Sequence, residues 1–289
     1  AAFVVVGLGK LGGEEINFHS DLDIIFIYSH MGETDVDFDG RARGRKKITN
    51  QEFFAKVAQR FISNLSTVTK EGYVYKVDMR LRPSGSAGPL VTSFNAFKNY
   101  YKKDARLWER QALIKARVVV DERNFGKEVQ GWIASYTYDR PLPPSLKDEI
   151  REIRDRMEKE LGRERDGFHN LKFGRGGLVE VEFLVQYLQL QNGGKLPSLR
   201  TQNTLKGLFE LVREGILDEE EFGILDMGYR FLREVEISLR LVHDASVERF
   251  LIDDRGIRLL NMPSFSAFEN EYKKMTGKVR SVYDKFFQV

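Results

Sequence analysis

Two unbroken apolar runs near the start of the chain, Phe3–Val6 and Ile24–Tyr28, have the length of strands; Gly7 ends the first, and the second belongs to a strand expected over Leu22–Tyr28. The period then changes. Phe54, Val57, Ala58, Phe61, Ile62 and Leu65 recur at steps of three and four, which predicts a helix over Gln51–Val68 capped by Thr49 or Asn50. Tyr73–Leu81 alternates strictly and predicts a third strand. Ser93 is the expected cap of a helix carrying Phe94, Phe97, Tyr100 and Tyr101, and a further helix is expected over roughly Leu107–Val119. Strand signals stop near residue 120, and Pro141, Pro143 and Pro144 mark a linker or corner. Helical periodicity follows over Leu146–Arg163, Leu178–Gln191, Thr204–Glu214, Glu219–His243 and Ser266–Phe287. Ridges such as Leu178, Val181, Leu184, Val185 and Leu188 predict one buried face per helix. The fold class expected is α+β: a small mixed-sheet domain over residues 1–120, then an all-α helical bundle over residues 121–289. A strand beginning at the first residues suggests a fragment of a longer protein. Asp35–Lys47, acidic and then basic, is expected to be a mobile surface loop.

Composition narrows the function classes. Hydrophobic residues make up 42% and charged residues 31%, enough for real cores. Lys and Arg number 46 against 43 Asp and Glu, so nothing argues for a nucleic-acid-coating protein, although a local basic groove stays open. With no cysteine, disulfides, thiolate catalysis and Cys-ligated zinc are excluded, and a cytoplasmic protein fits. No run approaches the roughly 20 apolar residues of a membrane helix. The first apolar run leads straight into a Gly-rich turn, unlike a signal peptide. The four histidines show no metal-ligand spacing.

Gly7, Gly9 and Gly12 match the spacing of a dinucleotide fingerprint, but the residues before Leu22 leave no room for a crossover helix. A phosphate-binding P-loop fails too, because Leu11 follows Lys10. More telling is Asp21-Leu22-Asp23. Residues two apart on a strand point to one side, so Asp21 and Asp23 share a face. Two such carboxylates repel, and an all-oxygen donor pair suits Mg²⁺; the alternative is a pair of turn-capping aspartates. On the third expected strand, Asp78, Arg80 and Arg82 form one face and Tyr75, Val77, Met79 and Leu81 the other. That face is either a solvated ion pair or a third metal ligand beside two phosphate-binding guanidiniums.

Longer segments carry a resemblance. Gly7-Leu-Gly-Lys-Leu-Gly-Gly-Glu-Glu-Ile-Asn17 followed by Ser20-Asp-Leu-Asp-Ile-Ile-Phe26 resembles the signature of the glutamine synthetase adenylyltransferase/adenylyl-removing family. That family lies within the DNA polymerase β-like nucleotidyltransferase superfamily. Val77-Asp-Met-Arg-Leu-Arg-Pro-Ser-Gly85, Trp108-Glu-Arg-Gln-Ala-Leu-Ile-Lys-Ala-Arg117 and Gly176-Gly-Leu-Val-Glu-Val-Glu-Phe183 are similar to it as well. The likeness runs from about residue 3 to residue 245 and weakens beyond.

The resemblance implies a long bifunctional protein with two homologous halves. One half attaches AMP from ATP to a tyrosine of glutamine synthetase, and the other removes it by phosphorolysis to give ADP. PII-type signal proteins and glutamine decide which works. A chain of this length holds one half. By resemblance Asp21, Asp23 and Asp78 bind two Mg²⁺ ions, with Asp78 as ligand, proton acceptor or both. Gly12 and Gly13 let the backbone approach the triphosphate, Ser20 donates to a phosphate oxygen, and Arg80 and Arg82 meet phosphate charge. Lys10 is a phosphate contact or a solvated turn lysine. Lys115 and Arg117, two apart on the expected helix, do not share a face, so at most one reaches the nucleotide, and Lys115 is the candidate. Glu182 is expected with Gln186 and Gln189 on a polar helix face, and a structural role for Glu180 and Glu182 is as good as a catalytic one. Trp108 is expected to pack in a core or between domains.

The expected function is thus AMP transfer to glutamine synthetase. Gly177-Leu-Val-Glu-Val-Glu-Phe-Leu-Val-Gln186, Thr201-Gln-Asn-Thr204 and Leu239-Arg-Leu241 favour the adenylylating half. Trp108-Glu-Arg110 and Asn192-Gly-Gly194 favour the removing half. A non-catalytic module binding nucleotide or a signal protein is a third reading, opposed by the presence of all three aspartates. Neither nucleic acid nor a membrane is an expected partner.

Overall fold

A computed structural model describes residues 1–34, 47–70, 72–164 and 167–287. Apart from Lys47, the loop expected over residues 35–47 lies outside them. The chain divides into two compact units. One comprises residues 1–16 and 20–137, the other residues 17–19 and 138–289.

The first unit is built on a five-stranded mixed sheet. β1 (Phe3–Gly7) leads through a single helical turn, α1 (Gly9–Gly12), to β2 (Leu22–Tyr28), and the two strands pair antiparallel. α2 (Asn50–Ser66) follows, capped by the Thr49 side chain as expected. β3 (Val77–Asp78) pairs parallel with the start of β2, and β4 (Val91–Ser93) pairs parallel with its end. α3 (Phe94–Lys103) is capped by Ser93, and α4 (Leu107–Ala112) leads to β5 (Arg117–Asp121), antiparallel to β1. α5 (Gly126–Tyr138) closes the unit.

Both faces of the sheet are covered. Phe3, Val5, Ile24 and Phe26 pack with Phe54 and Ala58 of α2. Val4, Val6, Ile25 and Ile27 pack with Phe97 and Tyr101 of α3 and Val129 and Ile133 of α5. Burial on two faces is why β1 and β2 read as continuous apolar runs rather than alternating ones.

Two expected elements are corrected. The strand over Tyr73–Leu81 is ordered as a strand only at Val77–Asp78. Beyond it side chains capture the backbone: Asp78 Oδ1 accepts from the Arg80 amide at 2.8 Å. Arg82 donates to the carbonyls of Met79, Ser86, Gly88 and Pro89. These bonds turn the chain out of the ladder. The helix expected over Leu107–Val119 stops at Ala112, and a 3₁₀ turn at Leu113–Lys115 precedes β5. The β-branched run Val118–Val120 suits a pleated strand better than a helix. α5, with Trp132 and Tyr136 stacked beside Tyr101, was not anticipated.

The second unit is helical around α7 (Leu178–Asn192), with α6 (Leu146–Met157), α8 (Thr204–Arg213), α9 (Glu219–His243) and α10 (Phe265–Phe287). α7 is buried on nearly every side, which one apolar stripe did not foretell. The expected all-α character is modified by one short antiparallel ribbon, β6 (Phe168–Asn170) with β7 (Arg249–Leu251). Residues 17–19 lie on α9: Asn17 Nδ2 donates to Glu236 at 3.3 Å, and Arg240 donates to the Phe18 carbonyl at 2.7 Å.

Candidate active site

The turn after β1 is set by close approaches. The Leu8 amide donates to the Asp23 carbonyl at 2.8 Å, binding the turn to β2. Gly9 has φ +49°, and a Cβ there would stand 2.3 Å from Asp23 Oδ2. Only glycine brings the backbone so close to that carboxylate. A Cβ on Gly12 would meet the Lys115 carbonyl at 1.8 Å, so this glycine serves packing against the Leu113–Lys115 turn. Gly13 caps α1, its amide donating to the Gly9 carbonyl at 3.1 Å. One helical turn between antiparallel strands is not the βαβ crossover of a dinucleotide site, as the spacing already indicated.

Side chains from β5 and the turn before it brace α1. Arg117 donates from Nε to the Gly12 carbonyl at 3.0 Å and from Nη2 to the Leu11 carbonyl at 2.8 Å. Lys115 Nζ lies 2.8 Å from Glu15 Oε2, and both side chains are buried. Lys115 and Arg117 thus both reach the Gly-rich turn, which the helical expectation for this segment had separated. Neither Arg117 nor Glu15 was expected in this role. Its signal was the β-branched run after Arg117, which puts that residue on a strand.

The carboxylates come from the sheet. Asp23 and Asp78 are direct register partners across the parallel pair β2–β3, and Asp21 lies exposed just before β2. Ser20, beside Asp21, is buried. Asp78 is largely buried, with 14% of its side chain exposed, whereas Arg80 is 78% exposed. The Arg80 Nε lies 2.8 Å from Asp78 Oδ2 and 3.1 Å from Oδ1. Burial pushes the Asp78 carboxyl up, but the hydrogen bonds and charge of Arg80, with the charge of Arg82, outweigh it and hold the group below its ordinary value. Arg80 is raised in turn, chiefly by Asp78, with Asp23 and Asp21 adding to the field. Arg80 therefore sets a positive charge against Asp78 and within the field of Asp23 and Asp21.

Among the described residues no three acidic or imidazole groups are gathered closely enough to hold an ion in this arrangement. The donor chemistry nonetheless suits a hard cation: all-oxygen ligands, with two of the three carboxylates in register. Arg82 points into the loop that follows, held by its carbonyls, and Lys10 stands half-buried on α1.

Comparison with known proteins bears on this arrangement. Residues 1–131 match the family model of the glutamate-ammonia ligase adenylyltransferase. A bifunctional glutamine synthetase adenylyltransferase/adenylyl-removing enzyme of Alteromonas mediterranea is 36% identical over 98% of this chain. Proteins of that description from Psychromonas ingrahamii and Shewanella woodyi are 35% and 39% identical over 98% and 88% of it. The chain belongs to the glutamine synthetase adenylyltransferase family. It spans 28%, 29% and 26% of the lengths of these three relatives. Residues 145–287 also match the model of the GlnD PII-uridylyltransferase.

In the remaining segments that resemble this family most polar side chains are engaged in internal contacts. In Trp108-Glu-Arg110 the expected packing residue is the exposed one, with Trp108 38% exposed. Glu109 is buried, accepting from the Tyr100 hydroxyl at 2.6 Å and the Arg106 amide at 2.8 Å. Arg110 is buried on the Thr137 carbonyl. Glu180, fully buried, accepts from Arg154 at 2.8 Å, Arg280 at 2.9 Å and the Gly176 amide at 2.9 Å. Burial works against the Arg280 charge, but Glu180, Asp284 and Glu158 outweigh it and push that guanidinium up. Glu182 accepts from the Tyr229 hydroxyl, and Gln186 and Gln189, expected beside it on a polar face, are buried.

Proposed function

We propose that this chain carries out Mg²⁺-dependent transfer of AMP from ATP to a tyrosine of glutamine synthetase, a control on nitrogen assimilation. The observation that carries this reading is the pairing of Asp23 with Asp78 beside the Gly9 turn, in a chain whose relatives are named for that reaction. Asp21, Asp23 and Asp78 would hold the metal. Bound there, Mg²⁺, as two ions by family resemblance, supplies charge stabilisation for in-line displacement at phosphorus.

The chain's own groups supply the rest. The amides of Gly12 and Gly13 are spent on the Leu8 and Gly9 carbonyls, so these glycines shape the turn that faces the triphosphate, and Ser20 and Lys10 are the phosphate contacts beside it. The exposed Arg80 fork matches phosphate oxygens. Arg82 acts one step removed, shaping the loop below Arg80 through its carbonyl contacts. Lys115 likewise acts through Glu15, holding α1 in place with Arg117. A carboxyl held low is a ready ligand and a weak proton acceptor, so Asp78 is assigned to the metal.

The removing half is the second reading. The relatives are named for both activities, and this chain spans just over a quarter of each. The match of residues 145–287 to a PII-uridylyltransferase supports a PII-type signal protein as partner of the second unit. The near-balance of charge supports protein rather than nucleic-acid partners. Among the described residues no helix is long and apolar enough to cross a membrane. The likeness to enzymes that modify glutamine synthetase supports a cytoplasmic location. The test is incubation with Mg²⁺, ATP and unmodified glutamine synthetase, read by mass spectrometry. AMP on a tyrosine is the expected result. Release of ADP from the modified substrate with phosphate, and no modification of the unmodified one, assigns the chain to the removing half.

A further inference from the structure

The two arginines that follow Asp78 are held very differently. Arg82 is fixed by four backbone carbonyls of the loop it organises. The Arg80 guanidinium is bonded to Asp78, and its side chain is 78% exposed. Asp78, by contrast, is anchored in the sheet and largely buried. Arg80 Nε engages both Asp78 oxygens, at 3.1 and 2.8 Å, and its amide engages Oδ1 at 2.8 Å. A cation that takes those oxygens must therefore displace the side chain. Displacement is cheap, since an ion pair with one exposed partner holds weakly. The released guanidinium has a fork that fits phosphate.

We propose that Arg80 is a resident counter-cation of the acidic cluster, occupying Asp78 until a divalent cation arrives and then passing to the nucleotide's phosphates. This rests on the metal site proposed at Asp21, Asp23 and Asp78. Its consequence is coupling between ligands. Metal alone must compete with Arg80, whereas nucleotide gives the displaced side chain a new partner. Metal and nucleotide then strengthen one another's binding by the same factor.

The test is titration of the whole chain with Mn²⁺, read by calorimetry and electron paramagnetic resonance, with and without a non-hydrolysable ATP analogue. Arg80→Gln should bind Mn²⁺ alone on the order of fivefold more tightly than the unsubstituted chain, the scale of one exposed ion pair. Arg80→Lys, which keeps the charge, should stay near the unsubstituted value. The tightening of Mn²⁺ by the analogue should shrink in Arg80→Gln. Asp78→Asn serves as the reference and should lose Mn²⁺. If the unsubstituted chain binds no Mn²⁺, or Asp78→Asn binds it equally well, the metal site itself is wrong and this proposal falls with it. If Asp78→Asn loses Mn²⁺ while Arg80→Gln binds it no more tightly than the unsubstituted chain, the site stands and the resident-cation role is overturned.

Discussion

Asp23 sits directly opposite Asp78 in the register of two parallel strands, and no other feature does more to define the candidate site. Two carboxylates so placed favour a cation between their strands and gain nothing from each other without one. Asp23→Asn and Asp78→Asn should therefore fold normally, with melting temperatures within a few degrees of the unsubstituted chain. Turnover should fall by on the order of a thousandfold or more, the scale of several kcal/mol of lost metal stabilisation. Adenylyl transfer assayed beside circular dichroism melts checks both halves of the expectation.

Gly9 and Gly12 differ in why they must be glycine, and alanine should separate them. At Gly9 the added methyl needs a left-handed φ and meets Asp23 Oδ2 at 2.3 Å. The carboxylate must shift, so activity should fall more than tenfold with a stability loss of about 1–2 kcal/mol. At Gly12 the methyl meets a backbone carbonyl at 1.8 Å, which cannot rotate away. Gly12→Ala should cost about 2–3 kcal/mol by overpacking. Urea denaturation ranks the two.

Sequence patterns revealed those elements whose packing follows their periodicity. The continuous runs in β1 and β2 declared a sheet covered on both faces, and α9 begins and ends where its apolar arc does. The place of Asp23 on β2, opposite Asp78, follows the strand reading, whereas Asp21, read as sharing the face of Asp23, lies exposed just before β2. What was not legible depended on side chains that bond the backbone, some of it nearby and some distant. Asp78 and Arg82 bind nearby backbone and cut β3 short, although the alternation continues to Leu81. Arg117 was assigned to a helix, so its reach to the Leu11 and Gly12 carbonyls could not be foreseen. The face of α7 carrying Gln186 and Gln189 read as polar, but its burial did not: Gln189 is enclosed on the carbonyls of Leu199 and Thr201.

Glu180 gives a prediction about stability alone. Its carboxylate lies between the fully buried Arg154 and Arg280. Glu180→Gln leaves Arg154 with only the partly exposed Glu158, at 3.4 Å, as counter-charge, so the loss should approach that of a broken buried pair, about 3–5 kcal/mol. A double variant with Arg154→Met should recover much of that loss. Thermal melts of the two variants, compared with the unsubstituted chain, supply the measurement.

The Asp78 carboxyl gives a prediction about pH. Two opposed influences act on it: burial, the larger single one, raises it, and the bonds and charge of Arg80 with the charge of Arg82 together lower it further. Its folded value is therefore below the ordinary 3.8. A carboxyl depressed on folding contributes stability that is fully present above its unfolded value and is lost as pH falls through its folded one. That window lies below pH 3.8, and the contribution is a few tenths of a kcal/mol at most, because Arg80 is mostly in solvent. Titration of the carboxyl itself is the sharper readout. In Arg80→Gln the guanidinium bonds and the Arg80 charge disappear while the burial, the residue-80 amide bond and the Arg82 charge remain, so the Asp78 midpoint should rise relative to the unsubstituted chain. Carbon-13 NMR of labelled aspartate, assigned by the absence of the signal in Asp78→Asn, follows the shift. A midpoint that does not rise in Arg80→Gln would mean that Arg82 or the backbone, not the Arg80 side chain, holds the carboxylate.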